Sequence, residues 1–391
     1  MDIQSNGVRI HVTQQGDGDL AIVFLHYYGG SSRTWRFVMD ALSSRVRTVA
    51  TDHRGWGRSE APADGYRIED LADDAQGVIE AMGLRRFVLV GHSMGGKTAQ
   101  LLASRRLPGL QGLVLVAPSP PSPMRLSDEQ RAVVAGAYAS RESVEWVLDN
   151  VLTATKLSGD VREQVVADSL AGATQAKLAW PNVAMLDDIT REVGAIDVPV
   201  LVISGDRDQV DRTETLREEL LPRVAGARLQ VLPGVGHLSP LEAPSQLVAL
   251  ISDFVQELES GSSTPGQLVA AFDRAFNAGD VARLVDLFAA NATMRMTDGA
   301  LVSGQDALRR SFEALLSNSP RINNRIRGSY VSGDLALALA DWTVTSKRPD
   351  GSETHASGIA TQVLERGTDR TWRLRISNPL GIDARDVPGR A

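Results

Sequence analysis

The chain has 391 residues, of which 48 are acidic and 41 basic, so its net charge at pH 7 is −7. It contains no cysteine, which excludes disulfides, thiolate nucleophiles and cysteine-ligated zinc or iron–sulfur sites. No run of like charge resembles a nucleic-acid-binding tail, and no apolar run approaches the roughly 20 residues of a membrane span, so we expect neither nucleic acid nor membrane as a partner.

Two domains are expected, because a single domain usually has about 100–200 residues. The first residues, MDIQSNGVRIHV, lack the basic start and apolar run of a secretory signal. We therefore expect a cytoplasmic location.

Short apolar runs rich in β-branched residues recur along the first two-thirds of the chain, separated by segments of helical period. Such runs are typical of buried strands in a parallel sheet. They are LAIVFLH, RVRTVATD, RFVLVG, LQGLVLVA, VPVLVISG and ARLQVLPG. They predict a doubly wound α/β sheet over residues 1–260, with a helical insertion, interpreted as a lid, over about residues 119–195.

The stretch VLVGHSMGGKTAQ, residues 88–100, fits two different motifs. One is G-x-S-x-G, in which a sharp turn between strand and helix presents Ser93 as a nucleophile. The other is G-x-x-x-x-G-K-[ST], the phosphate-binding loop, which would use Lys97 and Thr98. Both motifs join a strand to a helix, so the choice depends on the rest of the chain.

A phosphate-binding loop needs a magnesium-holding acid at the end of a later strand. The strand that follows, LVLVAP, ends in Ala117 and Pro118. Asp52 ends an earlier strand and continues into HRGWGRS, which indicates a structural turn. The sequence therefore favours the serine nucleophile.

A serine nucleophile needs a histidine to take its proton and a carboxylate to orient that histidine. Asp206 and Asp208 both follow the strand VPVLVISG, and His237 follows the strand LQVLPG in the loop VGHLSPLEAP. Either aspartate could orient His237. Backbone amides must also stabilise the developing oxyanion. The amide of Met94 and one from the segment Tyr27 to Gly30 are the candidates.

Residues 1 to about 260 resemble the α/β-hydrolase fold family through GHSMGG, FLHYYGGS, DHRGWGRS, GDRDQV and GVGHLSPLEAP. The resemblance implies that Asp208 is the acid of a Ser93–His237–Asp208 triad. It also implies oxyanion amides from Met94 and Tyr28, with Tyr27 as the alternate to Tyr28.

For its activity, the resemblance implies a serine hydrolase acting on a small-molecule ester or lactone, with no metal or organic cofactor. Epoxide hydrolases and dehalogenases of this fold attack with a carboxylate, whereas this chain has Ser93. Carbon–carbon bond hydrolysis, perhydrolase activity and a non-catalytic ligand-binding role remain as alternatives. Tyr27, Trp35 and Trp56 are candidates to line the substrate pocket, although each could equally pack in the core.

The segment ESGSSTPG, residues 259–266, is typical of a flexible linker and predicts a second domain over residues 261–391. Three helices come first in this prediction: QLVAAFDRAFNAG, DVARLVDLFAA and GQDALRRSFEALL. Four alternating strands follow: RIRGSYVSG, LALALADWTVTSK, ETHASGIATQVLER and TWRLRIS. This order predicts an α+β domain with an antiparallel sheet.

Residues 264 to about 385 resemble the NTF2-like (SnoaL-like) family through LVAAFDRAFNAGDVARLVDLFAANATMRM and LVSGQDALRRSFEALL. The resemblance implies a cone-shaped fold, a homodimer, and either a dimerisation and pocket-covering module or an isomerase or cyclase. A role in secondary metabolism is a hypothesis by analogy. Strand alternation offers five candidates for the interior of the cone: Arg295, Asp341, Trp342, His355 and Asn378.

Overall fold

The computed structural model describes residues 1–259, 265–347, 352–367 and 371–381. The chain divides into two compact units, Met1–Val255 and Gln256–Ala391. The division falls a few residues before the predicted boundary at residue 260, and residues 260–264 of the predicted linker lie outside the described residues. No helix in the described ranges is long and apolar enough to cross a membrane.

Eight strands form the sheet of the first unit. They are β1 (Asp2–Ser5), β2 (Val8–Gln15), β3 (Ala21–Leu25), β4 (Arg47–Thr51), β5 (Phe87–His92), β6 (Leu110–Val116), β7 (Val200–Gly205) and β8 (Arg228–Leu232). Their order across the sheet is β1-β2-β4-β3-β5-β6-β7-β8, and β3 to β8 are all parallel. The six strands predicted from apolar runs are β3 to β8, so the α/β prediction is confirmed.

The first two strands form an N-terminal hairpin that the apolar runs did not predict. Asn6 and Gly7 connect them with φ angles of 47° and 74°, the left-handed backbone that a two-residue hairpin turn requires. The hairpin extends the sheet, because β2 pairs antiparallel with β4.

Ten helices begin in the first unit, where they flank the sheet or form the insertion. They are α1 (Arg36–Leu42), α2 (Ile68–Ala81), α3 (Met94–Ser104), α4 (Asp128–Gly136), α5 (Arg141–Val147), α6 (Gly159–Ala171), α7 (Thr174–Asn182), α8 (Thr213–Glu219), α9 (Ser239–Glu242) and α10 (Pro244–Glu259). Helices α4 to α7 lie between β6 and β7 in the chain, which confirms the predicted helical insertion.

Hydrogen bonds fix the insertion to the loop that follows β3. The Tyr138 hydroxyl donates to the Tyr28 carbonyl at 2.9 Å, and the Ser169 hydroxyl donates to the Gly29 carbonyl at 2.9 Å. The Tyr28 hydroxyl donates in turn to the Lys177 carbonyl at 2.7 Å. The insertion therefore covers the carboxyl end of β3, where parallel α/β sheets place their ligand sites.

In its described residues, the second unit combines three helices with a six-stranded sheet. Its elements are α11 (Pro265–Ala278), α12 (Val281–Asp286), β9 (Phe288–Arg295), β10 (Leu301–Ser303), α13 (Gln305–Leu316), β11 (Arg321–Ser332), β12 (Leu335–Lys347), β13 (Glu353–Arg366) and β14 (Trp372–Asn378). The sheet order is β10-β9-β14-β13-β12-β11. All neighbours are antiparallel except β9 and β14, so the α+β prediction is confirmed.

One predicted helix of this unit is partly wrong. The sequence predicted that DVARLVDLFAA is helical through residue 290, but the helix ends at Asp286 and Phe288 begins β9. This strand pairs with β14 and β10, which lie later in the chain. Such pairing overrides the local helix preference of alanine, and it also places two strands before α13.

The two faces of β12 differ sharply in burial. Ala336, Ala338 and Ala340 are buried, whereas Leu335 and Leu337 on the opposite face are exposed. The buried face packs in one core with side chains of the three helices, including those of Leu268, Leu284 and Phe312. The other face carries further exposed apolar side chains from β13 and β14, those of Ile359 and Ile376.

Candidate active site

Ser93 occupies a strained turn between β5 and α3. Its φ and ψ are 53° and −115°, a conformation that costs a residue with a side chain about 1–3 kcal/mol. The flanking glycines allow close packing: a Cβ on Gly95 would lie 2.5 Å from the carbonyl oxygens of Leu25 and His26, and one on Gly91 would lie 2.3 Å from the Gly95 carbonyl oxygen. The turn therefore places Ser93 between the end of β5 and the first residue of α3, outside the helix itself.

The residues of the alternative phosphate-binding motif are part of the packed interior. Lys97 is fully buried, and its ammonium group donates to the Ser122 carbonyl at 3.0 Å. The Thr98 hydroxyl donates to the Met94 carbonyl one helical turn earlier. Burial lowers the pKa of Lys97 to about 8. These contacts agree with the rejection of the nucleotide interpretation.

His237 and Asp208 form a buried hydrogen-bonded pair. His237 Nδ1 lies 2.9 Å from Asp208 Oδ2. Asp208 Oδ1 accepts from the amides of Val210 and Asp211, at 2.8 and 3.1 Å. Asp206 is exposed and instead accepts from the Gly234 amide. The structure thus pairs His237 with Asp208 and not with Asp206.

The charge environment favours the protonated form of His237. Burial by itself would lower the pKa of this imidazole, but the carboxyl groups of Asp208 and Asp211 hold the pKa above its ordinary value. A histidine whose protonated form is stabilised in this way is suited to accept a proton during a reaction.

The Ser93 hydroxyl makes a contact that the sequence did not predict. In the described residues Ser93 Oγ donates a long hydrogen bond of 3.4 Å to Asp211 Oδ2, and none to His237. Asp211 lies three residues after Asp208 in the same loop. The only sequence signal was a third acid in the segment GDRDQVD, and nothing in that segment shows which acid turns inward.

Asp211 is almost completely buried beside Ser93. Its Oδ2 also accepts from the Ser119 hydroxyl at 3.2 Å, and its Oδ1 has no hydrogen-bond partner within the described residues. Burial raises the pKa of Asp211 to about 7, with Asp208 adding to the shift and His237 opposing it. The site therefore contains a second carboxyl group whose protonation changes near neutral pH.

This raised pKa predicts how stability depends on pH. Between pH 4 and pH 7 the native state keeps a proton that the unfolded chain has released, so the contribution of Asp211 to stability falls as the pH rises. Asp211→Asn abolishes this titration. We expect the free energy of unfolding of the variant to rise relative to wild type by up to about 4 kcal/mol between pH 4 and pH 8.

Denaturant unfolding at both pH values measures this difference, with Asp206→Asn as the matched change on an exposed carboxylate of the same loop. An identical pH dependence in wild type and Asp211→Asn would contradict the prediction.

The candidate oxyanion amides have no internal acceptor. Within the described residues, the backbone amides of Tyr27, Tyr28 and Met94 donate no hydrogen bond. The Tyr28 carbonyl is held by Tyr138, and the Tyr27 carbonyl accepts from the Gly30 amide at 3.0 Å. These bonds fix the loop and leave the amides available to bind an oxyanion. They do not decide whether Tyr27 or Tyr28 provides the second oxyanion amide.

Three aromatic residues were expected to line the substrate pocket. Of these, only Trp56 lines a small cavity that borders Met94, the residue after Ser93 in the chain. This cavity is also lined by Tyr66 and Trp180. Trp35 is fully buried against Phe24 and His92, and Tyr27 also packs against His92. Trp35 and Tyr27 are therefore packed in the interior and do not line this cavity, which agrees with the alternative that they belong to the core.

The structure does not gather the five candidates of the second unit into one pocket. The strand register places Asp341, His355 and Asn378 on the face opposite to Trp342, and Arg295, which follows the buried Met294, also lies on their face.

Asp341 pairs with Arg327 at 2.7 Å, the His355 side chain is 70% exposed, and Trp342 donates to the Pro379 carbonyl. Asn378 binds the backbone of Leu380 and Gly381. This corrects the expectation that the five residues line one pocket. The alternation of residues along a strand does not show which face of the sheet is inside.

Two family models match the chain. A model described as the alpha/beta hydrolase family matches residues 22–250, more than half of the chain, and a model described as a SnoaL-like domain matches residues 269–370. The first match includes β3 from its second residue, β4 to β8, and the loops that carry Ser93, Asp208 and His237.

Individual proteins are similar to the first unit. A non-heme haloperoxidase from Rhodococcus erythropolis is 30% identical over 251 residues, which cover 60% of this chain and 90% of the relative. N-formylmaleamate deformylase from Pseudomonas putida is 27% identical over 270 residues, which cover 65% and 95%. The solved structure of an enol-lactonase from Burkholderia xenovorans is 25% identical with a TM-score of 0.58, covering 66% of this chain and all of that one.

Proposed function

The chain belongs to the alpha/beta hydrolase family and is an enzyme of that kind, and on this premise we propose that it is a serine hydrolase that cleaves a small or medium ester or lactone. The 2.9 Å hydrogen bond between buried His237 and Asp208 is the main support. This hydrogen bond holds the imidazole of His237 in place, in the same unit whose strained turn carries Ser93.

In the proposed mechanism, Asp208 fixes the tautomer of His237. Nδ1 donates to the carboxylate, so Nε2 carries a lone pair and accepts the Ser93 proton. Asp208 can do this because two backbone amides already bind its second oxygen. The same carboxylate stabilises the imidazolium that forms when the proton arrives.

Catalysis then proceeds through an acyl-enzyme. The Ser93 hydroxyl turns from Asp211 to His237, and Ser93 Oγ bonds to the substrate carbonyl carbon as its proton passes to Nε2. The amides of Met94 and Tyr28, or Tyr27, bind the negative oxygen of the tetrahedral intermediate. His237 returns the proton to the leaving oxygen, and water then releases the acid by the same steps in reverse.

The surroundings favour a compact and largely apolar acyl group. Ser93 is 4% exposed, and the cavity that borders Met94 is narrow and lined by aromatic side chains, those of Trp56, Tyr66 and Trp180. The enol-lactonase is, by its name, a lactone hydrolase, and its similarity supports the ester or lactone class.

The similarity to a non-heme haloperoxidase favours a second candidate function. In that case the same acyl-enzyme transfers its acyl group to hydrogen peroxide instead of water and forms a peracid. Product analysis with and without peroxide separates the two candidates.

Trapping the acyl-enzyme tests the proposal. We expect a burst of p-nitrophenol, about one per protein, when the protein is mixed with p-nitrophenyl acetate, because acylation precedes release of the acid. Acid quenching should then reveal one added acetyl group by mass spectrometry, on the peptide that contains Ser93. The Ser93→Ala protein is the blank. Turnover with the acetyl group on another residue would contradict the proposal.

A further inference from the structure

Asp211 is a buried carboxyl group that the proposed mechanism does not use. It lies 3.4 Å from the nucleophilic oxygen and is the only hydrogen-bond partner of the Ser93 hydroxyl in the described residues. The side chain is 1% exposed in total. A carboxyl group in this position lies beside the oxygen that becomes bonded to the acyl carbon.

The packing of the loop does not explain this side chain. The Asp211 backbone amide, not its carboxyl group, holds the Asp208 carboxylate. Within the described residues, the carboxyl group itself binds only two serine hydroxyls, those of Ser93 and Ser119. An apolar residue would leave the backbone contacts to Asp208 intact and would avoid the cost of burying a carboxyl group.

One oxygen of this carboxyl group is left without a partner. Asp211 Oδ1 is buried and accepts no hydrogen bond within the described residues. A buried acceptor without a donor is destabilising, so a ligand that donates a hydrogen bond to it binds more tightly. At least one oxygen of a carboxyl group can accept in either protonation state.

The position of this oxygen limits where the donor must be. Both oxygens of Asp211 are bonded to one carbon, and Oδ2 is already within hydrogen-bond distance of Ser93 Oγ. In the acyl-enzyme, Ser93 Oγ carries the acyl carbon. A hydrogen-bond donor on the first or second carbon beyond the acyl carbonyl would therefore lie close to this carboxyl group.

We propose that Asp211 is a specificity-determining residue that binds a hydroxyl or amide N–H donor on the first or second carbon beyond the carbonyl of the substrate's acyl group. This inference rests on the proposed serine hydrolase function and narrows its substrate class to hydroxy- or amido-acyl compounds. Sites that hydrogen-bond a substrate hydroxyl discriminate strongly against analogues that lack it.

The test compares matched esters that differ only in a methyl or hydroxyl group. The first pair is p-nitrophenyl propionate and p-nitrophenyl glycolate, and the second is p-nitrophenyl butyrate and p-nitrophenyl 3-hydroxypropionate. The kcat/KM ratio of hydroxyl to methyl ester is measured for wild type and for Asp211→Leu. Comparing the two proteins cancels the intrinsic reactivity of the esters.

We expect Asp211→Leu to lower this ratio at least about tenfold in one pair or both. Asp211→Asn keeps an acceptor oxygen and should retain much of the preference, and Asp206→Asn in the same loop should leave the ratio unchanged. If Asp211→Leu does not fold by circular dichroism, Asp211→Ala replaces it in the comparison.

The outcomes separate this inference from the function on which it rests. One outcome would overturn the inference alone. In it, wild type hydrolyses the propionate and butyrate esters, and its hydroxyl-to-methyl kcat/KM ratio lies within about twofold of the Asp211→Leu ratio in both pairs. Hydrolysis of all four esters by wild type at no more than the rate of Ser93→Ala would overturn the proposed function.

Discussion

Ser93→Ala should lower kcat/KM for p-nitrophenyl butyrate by about 10⁵ to 10⁶, because without the hydroxyl no acyl-enzyme can form. The remaining activity would come from the oxyanion amides and from substrate binding. The strained turn around Ser93 should remain, since alanine keeps the Cβ and the backbone contacts to Gly91 and Gly95. Steady-state kinetics, together with circular dichroism to verify folding, provide the measurement.

Ser119→Ala is the matched control for this loss. Ser119 is as deeply buried as Ser93 and donates to the same oxygen of Asp211, but it lies after β6 and outside the strained turn. Its replacement should change kcat/KM by less than about tenfold. Comparable losses in both variants would indicate that the serine cluster as a whole supports the fold, and that Ser93 has no special role as nucleophile.

The order of the first unit could be predicted because parallel strands are buried on both faces. Such strands appear in the sequence as continuous apolar runs, and β5 and β7 are buried along their whole length. The loops at their carboxyl ends then stand out as short polar motifs between apolar runs. For this reason Ser93, Asp208 and His237 could be chosen as candidates from sequence alone.

The position of Asp211 could not be predicted because it depends on the backbone of one loop. Asp206, Asp208 and Asp211 are chemically equivalent in the sequence. In the fold the carboxylate of Asp208 binds the amides of Val210 and Asp211 and tightens the turn. That turn directs Asp211 toward Ser93, while Asp206 remains exposed.

The start of β9 shows a different limit of prediction from sequence. The alanines of FAA, residues 288–290, favour a helix, so local propensity extends the preceding helix through these residues. In the fold, the amide of Leu374 on β14 donates to the Leu287 carbonyl, and Leu374 pairs with Phe288. These contacts join residues far apart in the chain, and no local pattern encodes them.

Asp208→Asn should lower kcat about 10⁴-fold with little change in KM, because an amide cannot hold His237 in the tautomer that accepts the Ser93 proton. The pH profile should change as well: Asp208 raises the pKa of His237, so the acid limb of kcat/KM should move to lower pH in the variant.

Asp206→Asn is the matched control, since this exposed carboxylate binds only the Gly234 amide in the described residues. It should leave kcat and KM within about threefold of wild type. A loss as large in Asp206→Asn as in Asp208→Asn would mean that the loop acts through its overall charge. A loss confined to Asp208→Asn, with the acid limb displaced, would show that the 2.9 Å contact between Asp208 and His237 governs proton transfer.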